Sequence, residues 1–226
     1  MNRKIVARCL PRAAFVINLV VALPAEAKPV IFRFGLARMQ PDLDFLLSFP
    51  LYRRGRIALV VTGPGKSAAA AGTDFLAILG NCPRTAIWVN FGVAGHAERQ
   101  IGEVLLARSI MDAESGQTWR PILPRDRLCP ADDLLTLDRP DLHYRHQGLL
   151  DMEVSGFFPT ACRYTSTELV QVLKVVSDNR KTTARGLSAK QVRLLMGGAL
   201  DTLEALLASL EALAEARHET PGERHG

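Results

Sequence analysis

Residues 86–95 read Ala86-Ile87-Trp88-Val89-Asn90-Phe91-Gly92-Val93-Ala94-Gly95. The first six, apolar apart from Asn90 and rich in β-branched and aromatic side chains, make a strand of the kind buried on both faces. The run then ends in residues too small to fill space, which either make a plain turn or let a flat ligand approach the backbone. The same pattern recurs on both sides of this stretch. Phe15–Ala22 is a strand-length apolar run stopped by Pro24, and Ile57–Thr62 is another, stopped by Gly63-Pro64-Gly65 and followed by an Ala-rich helix over Lys66–Leu79. Downstream, strands are expected at Val104–Met111, Leu134–Leu137 and Leu169–Val176, with a helix over Glu153–Tyr164 and a polar connection from Thr118 to Pro130. Strand followed by helix, with extra strands in the middle, predicts an α/β fold with a twisted, mostly parallel central sheet flanked by helices.

The C-terminal element is the clearest helix. Ser188 with Gln191 three residues later forms a capping box, and Val192, Leu195, Ala199, Leu203, Leu206, Leu210 and Leu213 recur at steps of three or four. One long helix is expected, its stripe packed on the sheet or forming an oligomer seam.

The chain has 226 residues with 48% apolar content, enough to bury a real core, and its 23% charged residues exclude a disordered or fibrous protein. The net charge of +5 first suggests a nucleic-acid or anionic partner. Arg3, Lys4, Arg8 and Arg12, with no acid before Ala14, account for most of it, so residues 1–14 are a basic extension, 15–217 a nearly neutral domain and 218–226 a polar tail. No basic patch interleaved with aromatic residues is present, so nucleic acid is not an expected partner. Cys9, Cys82, Cys129 and Cys162 lack metal-ligand spacing and read as reduced, buried thiols. The N-terminus also fits a secretory signal, with its basic start, the apolar run from Ala13 to Leu23 and the small residues of Ala25-Glu26-Ala27. The same residues fit a buried first strand. No other apolar run approaches the ~20 residues that span a bilayer, so stable membrane insertion is not expected.

Gly63-Pro64-Gly65-Lys66-Ser67 invites a phosphate-loop reading, but the loop spacing would need glycine where Val60 stands. His96, His143 and His146 read as surface or loop histidines. The acids at strand ends are more informative: Glu26 after the first strand, Asp151 and Glu153 after Leu149-Leu150, and Asp178 after the Leu169–Val176 strand. Strand carboxyl ends in an open parallel sheet share one edge, so these acids either converge there or serve as helix caps and surface charges. A convergent set suits cleavage of a glycosidic bond, where one acid protonates the leaving group and one carboxylate activates water.

Asn90-Phe91-Gly92-Val93-Ala94-Gly95 followed by Ile101-Gly102-Glu103-Val104 resembles the N-T-G-[SV]-A-G and [IV]-G-D-[IV] segments of the purine nucleoside phosphorylase and methylthioadenosine/S-adenosylhomocysteine nucleosidase superfamily. Met152-Glu153 and Ser177-Asp178 match its M-E and S-D motifs, and Ala22–Glu26 matches the segment that ends its first strand. Gly63-Pro64-Gly65-Lys66 resembles its G-x-G-K turn, and the motifs run in matching order from Phe15 to Leu213. The resemblance implies a three-layer phosphorylase/hydrolase-like fold with no metal or organic cofactor. It assigns Asp178, with Ser177 beside it, as the acid that protonates N7 of a leaving purine, and Glu26 as the base that deprotonates the attacking water. Glu153 would hold the ribose 2′- and 3′-hydroxyls, with Met152 beside the sugar. Ala94 and Gly95 would lie along the base, and Leu135 and Thr136 would fall where the family stacks and backbone-bonds the purine.

Several positions depart from the family. Val93 stands where members commonly have Ser, and Lys174 where nucleosidases often place Arg, which keeps the charge without the bidentate fork. Asn90 stands where phosphorylases carry a phosphate-binding Arg, which favours hydrolysis over phosphorolysis. The segments Asp112–Arg120 and Leu135–Pro140 look closer to the hopanoid-associated phosphorylase branch, which keeps a lipid-linked nucleoside as an alternative substrate, and Val93 leaves a catalytically weak nucleoside-binding protein as another. Cleavage after Ala27 would delete the first strand together with Glu26. The expectation is therefore a cytoplasmic, homo-oligomeric hydrolase of adenine nucleosides.

Overall fold

A computed structural model describes residues 17–39, 49–126, 128–185 and 187–219. The basic residues before Ala14, Cys9, Phe15 and the tail from Thr220 to Gly226 lie outside these. The apolar runs become strands in the order the sequence sets out: β1 (Ile17–Val21), β4 (Ile57–Val61), β5 (Ile87–His96), β6 (Val104–Asp112), β8 (Ala131–Thr136), β9 (Leu149–Asp151) and β10 (Val170–Asp178). All five residues of β1 and all nine of β10 are buried, which is why these strands read as continuous apolar runs rather than alternating ones.

At the centre, β1 pairs in parallel with both β4 and β5, and β10 pairs in parallel with β5. Parallel pairing continues from β6 to β8 and from β8 to β9. The rest is antiparallel. β6 runs against β10 and β9 against β5, so that β5, β10, β6, β8 and β9 close on themselves as a small barrel. At the other edge β3 (Leu51–Arg54) and β2 (Ala37–Met39) add antiparallel strands, and β7 (Thr118–Trp119) hangs from β6 inside the expected polar connection. β2 and β3 carry three arginines in seven residues and have no apolar alternation to announce them.

Helices cover both faces. α1 (Pro24–Phe34), α4 (Ala189–Gly198) and α5 (Leu200–Glu219) lie over one, packing Val30, Met196 and Leu203 against Leu19, Val89 and Phe91. α2 (Lys66–Gly80) and α3 (Val154–Ala161) cover the other, packing Leu76 and Phe157 against Val20 and Trp88. The alternation of Leu19 with Val20, and of Val89 with Trp88, divides the strands between these two cores. The C-terminal stripe packs on the sheet, but as two helices rather than one, with the break at Ala199 after Gly197-Gly198. The Ser188–Gln191 capping box is present, Ser188 Oγ accepting from the Gln191 amide at 3.3 Å.

α2 and α3 approach so closely that a Cβ on Gly156 would stand 2.0 Å from the Lys66 carbonyl oxygen. Gly156→Ala is therefore expected to cost about 1–3 kcal/mol as the two helices are pushed apart, measured as a lowered urea midpoint with unchanged slope.

Candidate active site

Pro24 opens α1 directly after β1, which places Glu26 in the first turn of the helix at the carboxyl end of the central strand. Glu26 is 3% exposed, and backbone amides meet both its oxygens. Oε2 accepts from Ala22 and Leu23 at 3.0 and 2.8 Å, and Oε1 accepts from Val93 at 2.9 Å. Gly92 makes this possible, since a Cβ there would stand 2.8 Å from Glu26 Oε1. Burial raises the Glu26 carboxyl above its ordinary range, against the opposing pull of the Val93 amide and the Lys174 charge.

Asp178 arrives through an irregularity in β10. Val176 pairs with Ala94 and Asp178 with Gly95, so Ser177 is an inserted residue and the bulge redirects the Asp178 side chain toward Gly95. A Cβ on Gly95 would lie 2.8 Å from Asp178 Oδ2. The Ser177 hydroxyl donates to Asp178 Oδ1, and the Tyr144 hydroxyl donates to Oδ2 at 2.6 Å. Gly92 and Gly95 are three strand residues apart, about 10 Å along β5. One strand end thus seats two carboxyls from distant parts of the chain.

Glu153 completes the acidic set. Its Oε1 accepts from the Gly65 amide at the start of α2 at 3.0 Å, and its Oε2 from the Met152 amide at 3.3 Å. The α2 end that a phosphate loop would offer to a ligand is therefore already filled by a protein carboxylate. Lys66, the loop's cation, is tied to Asp112, Glu114 and Asp138 at 3.1, 3.0 and 2.6 Å. Burial raises the Glu153 carboxyl and Asp151 raises it further, while Lys174 opposes both.

Beneath these acids Lys174 and Asp151 form a fully buried ion pair at 3.0 Å, with side chains 2% and 0% exposed. Burial works against the Lys174 charge, but Asp151, Glu153 and Glu26 more than offset it and the ammonium is held above its ordinary range. Asp151 accepts from the Val154 amide at 3.0 Å, capping α3, and from the Thr136 hydroxyl at 2.8 Å.

A cavity of about 210 Å³ opens between these groups, lined among others by Glu26, Val93, Gly95, Met152, Glu153 and Asp178. Ala94 and Ser177 line it too. Three of the sequence candidates do not. Lys174 lies under the acids. Thr136 is fully buried between Asp151 and the Ser155 amide, and Leu135 packs with Ala97, Tyr144 and Leu150. Leu137 and Tyr144 line the cavity instead. Tyr144 belongs to a connection without regular structure, and only its aromatic character marks it in the sequence. Burial and the Asp178 carboxyl push its phenol up to about 12. His96 is buried rather than exposed: its Nδ1 accepts from the Glu98 and Arg99 amides at 3.0 and 3.1 Å, so Nε2 carries the hydrogen toward Asp132. His143 and His146 lie in the β8–β9 connection, as expected. Among the described residues no group of three or more His, Cys, Asp or Glu side chains is arranged to hold a metal ion.

No protein-family model matches the chain, and no curated protein matches it in sequence. Solved structures do match. The apo 5′-methylthioadenosine nucleosidase of Arabidopsis thaliana superposes with a TM-score of 0.75 at 19% identity, over 88% of this chain and 97% of that one. The fold is that of a methylthioadenosine nucleosidase. The methylthioadenosine/S-adenosylhomocysteine nucleosidase of S. pneumoniae, solved with a transition-state inhibitor, gives a TM-score of 0.65 at 18% identity, over 87% of this chain and 99% of that one. Futalosine hydrolase of Helicobacter pylori gives 0.67 at 12% identity, over 86% and 98%. In this nucleosidase fold, the buried cation beneath the acids is a lysine. Lys174→Met is expected to leave Asp151 as an uncompensated buried charge and to cost about 3–5 kcal/mol in chemical denaturation, with Lys174→Arg costing less.

Proposed function

We propose that the chain hydrolyses the N-ribosidic bond of an adenine nucleoside such as 5′-methylthioadenosine or S-adenosylhomocysteine. The observation that carries this is the seating of Glu26 and Asp178 against two glycines of one strand end, with Glu153 lining the same cavity. Asp178 gives a proton to N7 of the purine, which turns the base into a neutral leaving group. Glu26, held by three amides on the other side, accepts a proton from the water that attacks C1′. Glu153 accepts hydrogen bonds from the ribose hydroxyls.

Charge favours water over phosphate as the nucleophile. The cavity lining carries Glu26, Asp141, Asp151, Glu153 and Asp178 and, among the described residues, no Lys or Arg. A phosphate dianion entering this lining would meet carboxylates and no guanidinium fork. The half-buried free thiols of Cys82, Cys129 and Cys162 support a cytoplasmic setting, where thiols stay reduced.

The test is release of the free base from methylthioadenosine, S-adenosylhomocysteine, adenosine and inosine, with and without phosphate. Release without phosphate is expected for the adenine nucleosides, and a strict phosphate requirement would identify a phosphorylase. Glu26→Gln and Asp178→Asn are each expected to lower kcat by about 10²–10⁴. If both leave a trace activity unchanged while nucleoside still binds, the protein is a binder and not an enzyme. Glu26 acts ionised and burial raises its carboxyl, so kcat/KM is expected to fall on the acid side at a pH above 4.5, the ordinary value for glutamate.

A further inference from the structure

Tyr144 is 1% exposed, yet it stands on the connection between β8 and β9 with a φ of 48°, a left-handed conformation uncommon for a non-glycine residue. Its neighbours hold that conformation. Asp141 accepts from the amides of His143 and Arg145 at 2.8 and 3.1 Å, and Arg180 Nη2 donates to the Tyr144 carbonyl at 2.8 Å. The hydroxyl donates to Asp178 Oδ2 at 2.6 Å and accepts from the Ala184 amide at 3.1 Å. The ring edge lies against Gly95, with Cε1 3.4 Å from the point where a Cβ would stand.

These contacts are the ones the proposed reaction assigns to the purine. A flat ring lies on Gly95, and a polar atom on its edge sits between the Asp178 carboxyl and a backbone amide. Adenine would present N7 and its 6-amino group to the Asp178 carboxyl, which when protonated donates to the first and accepts from the second. We propose that Tyr144 is an internal occupant of the base subsite, a latch that the purine displaces on binding; this rests on the nucleosidase reading of the site. With the latch closed, the β8–β9 connection is tied through Tyr144 to Arg180 and Ala184 beyond β10, and Asp178 Oδ2 is occupied by the Tyr144 hydroxyl. With the latch open, Asp178 Oδ2 is free for the base, and the residue is released from its left-handed backbone.

A ligand that must displace a closed conformer binds with an affinity reduced by the fraction of molecules that are open. Tyr144→Phe keeps the ring and removes the two hydroxyl contacts. Calorimetric titration of the full chain with adenine is expected to show this variant binding about threefold more tightly or better than wild type, and the KM for methylthioadenosine falls with it. Arg180→Ala, a change outside the cavity, frees the Tyr144 carbonyl and is expected to act in the same direction, so the test survives if the Phe variant folds poorly. Adenine binding by wild type with no tightening in either variant would overturn the latch alone. Adenine binding by none of the three proteins would overturn the nucleosidase reading and the latch with it.

Discussion

Two absent side chains, at Gly92 and Gly95, are the constraint on which the site depends. β5 is held between β1 and β10 along most of its length and cannot move aside, so whatever approaches its carboxyl end must fit the space the strand leaves. At Gly92 that space is taken by Glu26, and at Gly95 by Asp178. The two acids come from distant parts of the chain, one from a helix start and one from a strand bulge, and β5 fixes the distance between them. A methyl group at either position would displace a carboxylate before it disturbed the core.

The second constraint is charge. Among the described residues, Glu26, Asp151 and Glu153 are buried together around the Lys174 ammonium. Burial disfavours every ionised form, and one ammonium cannot neutralise three carboxylates. Asp151 takes the direct contact, while Glu26 is held first by the Val93 amide and Glu153 by the Lys174 charge together with the Gly65 and Met152 amides, and both have raised carboxyls. That division suits the proposed roles. The acid with the ion pair is structural, capping α3, and the two without it face the cavity with lone pairs free for water and sugar.

Much of this was legible in the sequence because the interior strands are buried on both faces, and β1, β4, β5 and β10 therefore read as apolar runs ending in Gly, Pro or acid. The acids at those ends were legible for the same reason, since a carboxylate directly after a buried strand has few places to go. What escaped had no such signature. The β2–β3 edge is short and arginine-rich, and β8 begins Ala131-Asp132-Asp133, whose two acids, paired with His96 and Arg108, mask the pattern. The break at Ala199 interrupts neither the leucine stripe nor its packing, so periodicity alone reads one helix where there are two. Thr136 sits where the family pattern expects a base contact, but its hydroxyl is spent on Asp151, a partnership that depends on the β8–β9 register.

Tyr144 was illegible for a different reason. Its position follows from four separate tethers, Asp141 within its own loop, Asp178 at the end of β10, and Arg180 and Ala184 beyond it, the last three 34, 36 and 40 residues away. No local propensity selects a left-handed tyrosine; the conformation exists because the surroundings over-determine it. Glu26, Glu153 and Asp178 are held by backbone amides and by the space at Gly92 and Gly95. Tyr144 is held by polar contacts on a loop, one of them to the part-exposed Arg180, so under the proposed latch it is the part of the site that yields to a base. Acids fixed by glycine contacts and backbone amides, with an aromatic side chain on a tethered loop beside them, fit the proposed reaction, which needs fixed proton positions and room for a base.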